Sequence, residues 1–419
     1  MPATTRQTSV LERFLRYVQL DTTSDHTSPT VPSTAKQLVM LDLLVDELKT
    51  LGLKDAARDE FGIVMATLPA TSTKKNLPVI GFLAHVDTSP EMSGAGVKPI
   101  VHRDYDGRDL VLPDDASAVL SPRTDADLAG KRGEDIVTAS GTTLLGADDK
   151  AGVAVVMAAV EQLVKNPAIV HGPIRVSFTP DEEIGRGVRH FDVKRFGAQC
   201  AYTLDGAGLG TLEAETFSAD SMVVTFQGRN THPGFAHGVM VNAVKVAADF
   251  VSRLPKDTLS PETTQDREGF VHPNDITASV DRTSVHFIIR DFETAKLAIQ
   301  EDYLKKLANE TVQDWPGSSA SFEVKESYRN MRDIIARHPQ ILELAREAIR
   351  QAGFTPIEGR IRGGTDGSIL SEMGLPTPNL FSGQHRFHSR LEWVSVQDME
   401  VAVKVVVNLA QLWEQQAKA

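Results

Sequence analysis

The sequence predicts an α/β protein of two domains, in which a smaller domain is inserted into a larger one. Three observations support this prediction. The chain has 419 residues, more than one hydrophobic core can hold, because single cores stop growing near about 250–300 residues. Apolar strand runs alternate with helical patterns along most of the chain, which is typical of an α/β sheet. The middle of the chain has a different order of elements, described below.

Two helices are predicted before the first long strand. Apolar residues from Leu11 to Val18 recur at helical spacing, and Ser9 with Glu12 can form a capping box. A second apolar stripe runs from Leu38 to Leu48, and Gly52 is expected to end that helix.

The run LPVIGFLAHVDTSP predicts a buried strand that turns polar at its carboxyl end, where open α/β sheets keep their ligands. His85 and Asp87 lie at that end. Since side chains two residues apart on a strand point to the same side, both can converge on one site. The alternative is a hydrogen bond between them that only closes the strand.

Residues 93–141 lack clear periodicity and are rich in Gly, Pro and Asp, so we expect a long excursion with a few short strands. The stretch TLLGADDKAGVAVVMAAV follows, with Asp148 and Asp149 directly before a run that predicts a fully buried helix. In the first helical turn, Asp148 would be favoured by the helix dipole and could offer two oxygens to two cations. The alternative is an N-cap aspartate.

Two further strands are predicted to end in carboxylates. The run GPIRVSFTPDEEIG ends in Asp181, Glu182 and Glu183, which repel one another unless a positive charge lies nearby. The alternative for these three is a solvated acidic turn. The run CAYTLDGAG is a short apolar strand that ends in Asp205. Acidic side chains are therefore expected at one edge of the sheet.

The elements between residues 215 and 330 follow the order β-α-β-β-α-β, which is the ferredoxin-like pattern. We therefore predict a first part of the larger domain over 1–214, an inserted domain over 215–330 and a second part over 331–419. The last part contains a helix from Gln340, a glycine-rich loop IRGGTDGS, a loop FHSRLEW with His388, and a final helix.

Composition excludes several classes of partner. The formal net charge of -12 with interspersed basic residues argues against nucleic acid and anionic membranes, since both require a basic face. The single Cys200 excludes an intramolecular disulfide and indicates a reducing compartment. The N-terminal residues lack the apolar core of a signal peptide, and the longest apolar run is shorter than the ~18 residues of a membrane span. A cytoplasmic protein is expected.

Together these residues predict a metal centre. Five side chains suffice for two Zn²⁺ ions, with Asp148 and a shared water or hydroxide as bridges; they are His85, Asp148, Glu183, Asp205 and His388. Two ions bring +4, the carboxylates -3 and the hydroxide -1, so the buried site would be neutral.

The chain resembles the co-catalytic zinc peptidase superfamily that includes aminoacylase and carboxypeptidase G, and within it the peptidase T family of tripeptide aminopeptidases. The motifs that carry the resemblance span nearly the whole chain: GFLAHVDTSPEMSG, SGTTLLGADDKAG, FTPDEEIGRG, YTLDGAGLG, THPGFAHGVMVNA, PETTQDREGF, IIRDF, IRGGTDGS and GLPTPNLFSG. The family pattern leads us to expect Asp and Gly where Ser140 and Ala207 stand, and a more basic run in place of FHSRLE.

The resemblance implies two sets of metal ligands. One zinc would be held by His85, Asp148 and Asp205, and the other by Asp148, Glu183 and His388. Asp87 would orient His85 and fix its tautomer. Glu182 would be the general base; adjacent side chains on an extended strand end diverge, so one glutamate can ligate metal while the other faces the water.

The resemblance also implies the substrate, a short peptide that loses its N-terminal residue, with tripeptides preferred. Arg290 is suited to grip the peptide carboxylate, and Asn274 with the backbone of Gly363 and Gly364 could add hydrogen bonds. His232 in THPG would donate to the developing oxyanion, in cis or across a homodimer formed by the inserted domain. As alternatives, His232 is only a turn residue, and Arg290 only pairs with neighbouring acids on the domain surface.

Three points stay open at this stage. Asp181 and Asp366 are both candidates for binding the substrate ammonium, and neither can be assigned. The native metal could be zinc, cobalt or manganese. A deacylase or carboxypeptidase of the same superfamily would use the same metals, and a peptide-binding relative without catalysis is a weaker alternative because Glu182 is present although no metal requires it.

Overall fold

The computed structural model describes residues 8–417, and the chain forms two units in it. The larger unit consists of the chain up to Ala214, of Met331–Arg360 and of the chain from Thr365 onward. The smaller unit consists of Glu215–Asn330 together with Ile361–Gly364. The predicted α/β class, with a mixed sheet in one unit and an inserted ferredoxin-like unit, is confirmed.

The strands of the described chain range from two to ten residues in length. In chain order they are β1 (Ala57–Arg58), β2 (Val64–Leu68), β3 (Ile80–His85), β4 (Ile100–His102), β5 (Leu110–Val111), β6 (Val119–Leu120), β7 (Ile136–Thr138), β8 (Ile174–Thr179), β9 (Cys200–Gly206), β10 (Thr211–Thr216), β11 (Ser218–Gln227), β12 (Phe270–Ala278), β13 (Arg282–Asp291), β14 (Ser319–Tyr328), β15 (Ile357–Ile361), β16 (Asn379–Phe381), β17 (Gln384–His385) and β18 (Trp393–Ser395).

Helices cover both units. They are α1 (Val10–Tyr17), α2 (Lys36–Thr50), α3 (Ala126–Ala129), α4 (Ala147–Lys165), α5 (Val193–Phe196), α6 (Ala243–Ser252), α7 (Ala295–Asp314), α8 (Arg332–Ile335), α9 (Pro339–Gln351), α10 (Asp366–Glu372) and α11 (Val396–Gln416), with 3₁₀ turns at Glu182–Ile184, Gly187–His190 and Pro233–Phe235. Between residues 8 and 417 we find no helix with the length and apolar character that crossing a membrane requires.

The larger unit is built on a mixed sheet in the order β1-β2-β8-β3-β9-β16-β10-β15. β8, β3, β9 and β16 run parallel to one another, whereas the pairs β1–β2, β2–β8 and β10–β16 are antiparallel. Every residue of β3 is buried, as expected for a central strand covered on both faces. The carboxyl ends of β3, β8 and β9 therefore meet at one edge of the sheet.

The long buried helix α4 packs against β3 and β9 and contacts α1 and α11. Its close approach to β9 requires Gly152, because a Cβ atom there would lie 2.1 Å from the carbonyl oxygen of Leu204. The first two helices also follow the sequence: α1 has the predicted capping box of Ser9 and Glu12, and α2 ends just before Gly52.

The excursion over residues 93–141 folds back onto the C-terminal part of the chain. Its strands β4 and β7 join β18 and β17 in a second sheet of order β17-β18-β7-β4, and β5 pairs with β6. In this sheet β18 pairs with β7 in antiparallel register from Trp393 opposite Thr138 to Ser395 opposite Ile136. The excursion thus forms part of the framework around the loop that carries His388.

The smaller unit has the predicted β-α-β-β-α-β order, with an antiparallel sheet of order β12-β13-β11-β14. Helices α6 and α7 pack on it around a core that includes Phe226, Phe250 and Phe287. The sequence pattern predicts the second helix from Phe292 to about Asn309, whereas α7 begins at Ala295 and continues to Asp314. Both predicted boundaries were therefore too early.

Two predictions about the smaller unit need correction. Ile361–Gly364 belongs to this unit rather than to the second part of the larger one, because the Phe217 N–H donates to the carbonyl groups of Ile361 and Gly363. The predicted homodimer rests on the expectation that the strand containing FIIR leaves an unpaired edge, and this expectation was wrong. That strand is β13, which is paired on both sides, so the edges of this sheet are β12 and β14.

Candidate metal centre

All five predicted ligands lie together at the carboxyl edge of the mixed sheet. His85 ends β3, and Asp205 lies one residue before the end of β9. Asp148 stands at the start of α4, Glu183 lies in the 3₁₀ turn after β8, and His388 is in the loop between β17 and β18. Five separate segments of the larger unit therefore converge on one place, as expected for strands that end at the same edge.

The donor atoms form two groups that share Asp148, and within each group they lie within 4.8 Å of one another. In the first group, Nε2 of His85 is 3.1 Å from Oδ1 of Asp148 and 3.7 Å from Oδ1 of Asp205. In the second, Nε2 of His388 is 2.8 Å from Oε2 of Glu183 and 3.3 Å from Oδ2 of Asp148. The two oxygens of Asp148 thus face different histidines.

These residues fit a pair of divalent cations. Each group offers one imidazole nitrogen and two carboxylates, a donor set that zinc accepts while keeping positions open for water or substrate. Oε1 of Glu183 is buried and has no hydrogen-bond partner among the described residues. A buried carboxylate oxygen without a donor is costly, and a cation beside it would remove that cost.

The carboxylates of the site favour the protonated form of both histidines. Burial alone would lower the pKa of His388, yet the carboxylates of Asp148 and Glu183 raise that pKa to about 11. Burial also opposes protonation of His85, but its hydrogen bonds to Asp148 and Asp205 raise its pKa well above the ordinary value. The negative charge that favours a proton on each ring would equally favour a divalent cation, which would replace that proton at the ring nitrogen.

The carboxyl groups show the same excess of negative charge. Burial, followed by the nearby charge of Asp148, raises the pKa of Glu183 to about 8 and that of Asp205 to about 6. Asp148 behaves differently: burial would raise its pKa, but the bonds from His388 and His85 outweigh this effect and lower it. A cluster whose carboxyls resist ionisation in the absence of cations is suited to bind them.

Asp87 connects one ligand to the general-base candidate. Nδ1 of His85 lies 3.1 Å from the carbonyl oxygen of Asp87 and 3.3 Å from its Oδ1. The same carboxylate accepts hydrogen bonds from the backbone N–H groups of Glu182, at 2.9 Å, and Glu183, at 3.2 Å. Asp87 therefore orients the ring of His85 and also fixes the backbone of both glutamates.

The backbone at Glu182 and Glu183 differs from the prediction. They were expected at an extended strand end, but β8 stops at Thr179 and Asp181 takes a left-handed conformation with φ of 56°. The chain then turns into the 3₁₀ helix Glu182–Ile184. Both glutamates therefore lie in one tight helical turn, and their side chains do not follow the alternation of a strand.

Asp149, not Asp148, performs the capping role. Asp148 and Asp149 both lie in the first turn of α4, as expected for Asp148, but both have non-helical backbone angles. The Asp149 carboxylate accepts hydrogen bonds from the N–H groups of His85 and Gly152, each at 3.2 Å. Because Gly152 is three residues further on, Asp149 caps the regular part of α4 and leaves the side chain of Asp148 available.

A carboxyl group that the sequence analysis did not single out lies beside the site. Glu392 is 1% exposed, and its carboxylate accepts hydrogen bonds from the backbone N–H groups of Leu145, Gly146 and Asp148. Burial raises its pKa to about 7, against the effect of these bonds. Its only signal in the sequence is an acidic residue four positions after His388.

The two candidates for ammonium binding differ in their surroundings. The carboxylate of Asp181 accepts hydrogen bonds from the Ser33 N–H, the Ser33 hydroxyl and the side-chain amide of Gln37. Asp366 accepts a hydrogen bond from the hydroxyl of Thr179 at 2.7 Å, and burial raises its pKa to about 7. Since its oxygens already receive three donors, Asp181 is the poorer candidate of the two.

Two arginines tie the His388 loop to the excursion. Arg386 donates from Nε to Asp125 at 2.6 Å, and Asp125 also accepts from the indole of Trp393 at 3.0 Å. On the other side of His388, Arg390 donates to Asp115 at 2.5 Å. His388 itself has a left-handed backbone with φ of 60°, a conformation that a non-glycine residue holds only when its surroundings enforce it.

The predicted substrate residues Arg290, Gly363 and Gly364 lie together in the smaller unit. The guanidinium of Arg290 lies over the ring of Phe270, and its Nη1 is 3.5 Å from the carbonyl oxygen of Arg362. Its Nε is buried without a hydrogen-bond partner among the described residues. A Cβ atom added at Gly363 would lie 4.0 Å from Nη1 of Arg290, so the glycine loop and this arginine are neighbours.

The other two predicted substrate residues are exposed in the smaller unit. Asn274 lies in β12, where the register with β13 shifts between Pro273 and Asp275. His232 precedes the 3₁₀ turn Pro233–Phe235, and its Nδ1 accepts the N–H of Gly234 at 3.1 Å. That bond assigns the proton of the neutral ring to Nε2, which is therefore a hydrogen-bond donor.

Comparisons with known proteins agree with this geometry. Residues 137–412 match the model of a family described as Peptidase family M20/M25/M40. The chain is 47% identical over 408 residues to a Peptidase T of Geobacillus kaustophilus (strain HTA426). The aligned region covers 97% of this chain and 99% of that relative. It has the same identity and coverage with a Peptidase T of Bacillus subtilis (strain 168). The solved aminopeptidase PepT from Bacillus cereus ATCC 10987 shares the fold, with a TM-score of 0.73 at 24% identity over 98% of this chain and 99% of that chain.

Proposed function

The chain belongs to peptidase family M20/M25/M40, and from that membership we propose that it is a dizinc aminopeptidase that removes the N-terminal residue of tripeptides. The predicted resemblance to the peptidase T family is confirmed by relatives with 47% identity over 97% of the chain, so the protein is a peptidase. The observation that carries the more specific proposal is the pair of donor groups that share Asp148.

In this proposal His85, Asp148 and Asp205 would hold one Zn²⁺, and Asp148, Glu183 and His388 would hold the other. The ions would supply Lewis acidity for polarising the peptide carbonyl and for lowering the pKa of water. The three carboxylates would contribute -3 against +4 from the ions, so that the site with a hydroxide would be neutral. His85 is kept in position by Asp87, whose carboxylate and carbonyl oxygens both lie beside Nδ1.

Glu182 acts as the general base. Its backbone is fixed by the hydrogen bond from its N–H to Asp87, and it does not belong to either donor group. The carboxylate of Glu182 takes a proton from the attacking water and returns it to the leaving nitrogen. Burial, with the charges of Asp205 and Asp366, raises its pKa well above the ordinary value, and cations nearby would bring that pKa down again.

Arg290 grips the carboxylate of the peptide. The alternative was an ion pair with Asp291 or Glu293, but the carboxylate of Asp291 accepts the N–H of Glu293 and the side-chain amide of Gln300. The Nε of this guanidinium is buried and has no partner within residues 8–417, so the group has donors to spare for a bidentate bond to a carboxylate. Asn274, Gly363 and Gly364 would add hydrogen bonds, and His232 would donate from Nε2 to the oxyanion.

Two further features belong to the proposal. We expect a homodimer through the smaller unit, whose sheet has free edges at β12 and β14 and whose His232 lies beside Phe235, a ring that is 77% exposed. The single cysteine, Cys200, is buried, and a chain that depends on no disulfide suits the cytoplasm.

The proposal is tested with a tripeptide whose ends are blocked in turn. Acetylating the N-terminus should abolish cleavage, and amidating the C-terminus should lower kcat/KM about 10–100-fold through loss of a charge-assisted bond. Arg290→Ala should lower kcat/KM by a similar factor on the peptide with a free C-terminus and by little on the amidated peptide. The substitution and the amidation remove the same contact, so their effects should not add. Arg282→Ala, at the other end of β13, is the matched control.

The alternatives predict different outcomes in the same assay. Efficient hydrolysis of N-acetylated amino acids would establish a deacylase. Release of the C-terminal residue first would establish a carboxypeptidase. Activity that survives exhaustive removal of metal by a chelator would contradict the metal centre itself.

A further inference from the structure

We propose that Glu392 is a positioning residue that keeps the segment carrying Asp148 in register with the loop carrying His388. The inference rests on the proposed dizinc function, because it concerns how two of the ligands are aligned. It adds a residue that touches no substrate and belongs to neither donor group.

The contacts of Glu392 are concentrated on one short segment. One carboxylate oxygen, Oε2, accepts the N–H groups of Leu145 and Gly146, both at 2.7 Å. The other, Oε1, accepts the N–H of Asp148 at 2.9 Å. One side chain thereby fixes three backbone N–H groups within four residues. Glu392 is 1% exposed, and hydrogen bonds to a carboxylate are stronger in a buried environment of low dielectric constant.

Glu392 also belongs to the loop that supplies the last ligand. His388 is four residues earlier, and its Nε2 lies 3.3 Å from Oδ2 of Asp148. The two segments therefore meet twice, once through the ligands themselves and once through this carboxylate. The second donor group draws one member from each segment, whereas the first group draws only Asp148 from them.

The position of Glu392 is itself well fixed. Its own N–H donates to the carbonyl oxygen of Ser389 at 3.2 Å, and the next residue, Trp393, begins β18. β18 pairs with β17 on one side and β7 on the other, and Trp393 is fully buried. The carboxylate is therefore mounted on a rigid sheet, which is the condition for one side chain to hold another segment in place.

Glu392→Gln separates this role from simple packing. Glutamine keeps the volume but has a single acceptor oxygen, so it can satisfy Leu145 and Gly146 only by turning its NH₂ group toward the N–H of Asp148. Two donors would then face each other at the backbone of the shared ligand. We expect the affinity for Zn²⁺ to fall more at the second donor group than at the first. The second group takes one ligand from each of the two segments that Glu392 joins, whereas the first group takes only Asp148 from them.

The experiment titrates the metal-free protein with Zn²⁺ in competition with a chromophoric chelator. His388→Ala identifies which binding step belongs to the second group. In Glu392→Gln that step should weaken by roughly 10–100-fold, as is usual for partners that orient metal ligands, and the other step should change less. Glu414→Gln is the matched control: Glu414 lies in α11 of the same unit, is 7% exposed, and accepts a hydrogen bond from the hydroxyl of Ser72.

A second measurement uses the metal-free protein without any activity assay. Amide hydrogen exchange at Leu145, Gly146 and Asp148 should become about tenfold faster or more in Glu392→Gln, and should stay protected in Glu414→Gln. Glu392→Asp, which keeps the charge on a shorter side chain, should recover part of both the protection and the affinity.

Several results would overturn the inference. One is an unchanged Zn²⁺ affinity in the second binding step, together with unchanged rates of hydrogen exchange at the amides of Leu145, Gly146 and Asp148. Another is equal weakening of both steps together with a lower Tm, since general destabilisation would then explain the loss. These outcomes concern Glu392 alone; the proposed function would fail instead if the unmodified protein bound fewer than two zinc ions.

Discussion

At the scale of single residues, neighbouring side chains of the same type have different roles because the backbone and a third group separate them. Glu182 and Glu183 both donate their N–H groups to Asp87, yet only Glu183 reaches Nε2 of His388. Asp148 and Asp149 differ in the same way, since Asp149 is occupied by two backbone donors. One member of each pair is therefore expected to ligate metal, and the other to act without it.

Glu182→Gln should reduce kcat by about 10²–10⁴-fold or more while both zinc ions stay bound, because the amide keeps the shape and loses the proton acceptor. Turnover of a tripeptide and elemental analysis of the purified variant measure the two effects. Glu183→Gln is the matched comparison one residue away, and it should lose metal from the second donor group. If Glu182→Gln also loses metal, its assignment as the general base is wrong.

The sequence predicted which residues converge at the site, but not how each is held. Strand ends and the alternation of polar and apolar residues place His85 and Asp205 at one edge of the sheet. The left-handed backbone of Asp181 and His388 has no comparable signal, since neither is glycine. Which of two adjacent aspartates caps α4 also depends on tertiary contacts, here the N–H of His85.

At the scale of elements, the pairing of β10 with β16 buries a carboxyl group. Glu213 in β10 accepts a hydrogen bond from the side-chain amide of Asn379 in β16 at 3.2 Å. Burial, which outweighs this bond, raises the pKa of Glu213 to about 7. Its proton is therefore bound more tightly in the folded state than in the unfolded chain, where the pKa is near 4.5.

A carboxyl group whose pKa is raised on folding contributes its full stabilisation at pH values below its pKa in the unfolded chain. For Glu213 this stabilisation is lost as the pH rises through about 7. Glu213→Gln, whose amide oxygen can still accept from Asn379, should remove this dependence. The free energy of unfolding of the variant, relative to the unmodified protein, should therefore rise between pH 5 and pH 8 by about 1–3 kcal/mol. Urea unfolding at both pH values measures it, with the exposed Glu60→Gln as control.

A difference that stays constant across this range would show that Glu213 does not titrate in it. The comparison between the two proteins cancels the contributions of other carboxyls with raised pKa, such as Asp366 and Glu392. The measurement should be made with zinc present throughout, so that the metal centre contributes equally to both proteins.

Long periodic elements could be predicted from sequence, and short paired ones could not. The strands and helices of the smaller unit follow their patterns of two and 3.6 residues, so their order was predicted correctly. The excursion contains strands of two or three residues, such as β4 and β7. β7 pairs with β4 on one side and, on the other, with β18, which lies more than 250 residues further along the chain; no local pattern encodes such a pairing.

At the scale of the whole molecule, the open question is whether each active site is completed by a second copy of the chain. His232 is exposed, and its ring offers a donor at Nε2. We expect a homodimer in which this donor serves the partner's metal centre. The smaller unit supplies the free sheet edges at which two copies could pair.

A hybrid dimer tests this expectation. His232→Ala subunits and Glu182→Gln subunits are co-expressed with different affinity tags, and only molecules that carry both tags are collected. Each parent should be inactive or nearly so, and the hybrid should regain activity at the site that combines an intact Glu182 with an intact His232. Hybrids as inactive as their parents would contradict action across the dimer, and a monomer in analytical ultracentrifugation would exclude it.

The positions of the ligands along the chain determine the order in which the site can be assembled on the ribosome. Synthesis proceeds from the amino end, so the first donor group is complete once Asp205 has emerged, whereas the second waits for His388. The sheet waits as well, because β16 must insert between β9 and β10. A nascent chain can thus acquire one metal position well before the other, and hydrolytic capacity should appear only when translation has passed the C-terminal loop.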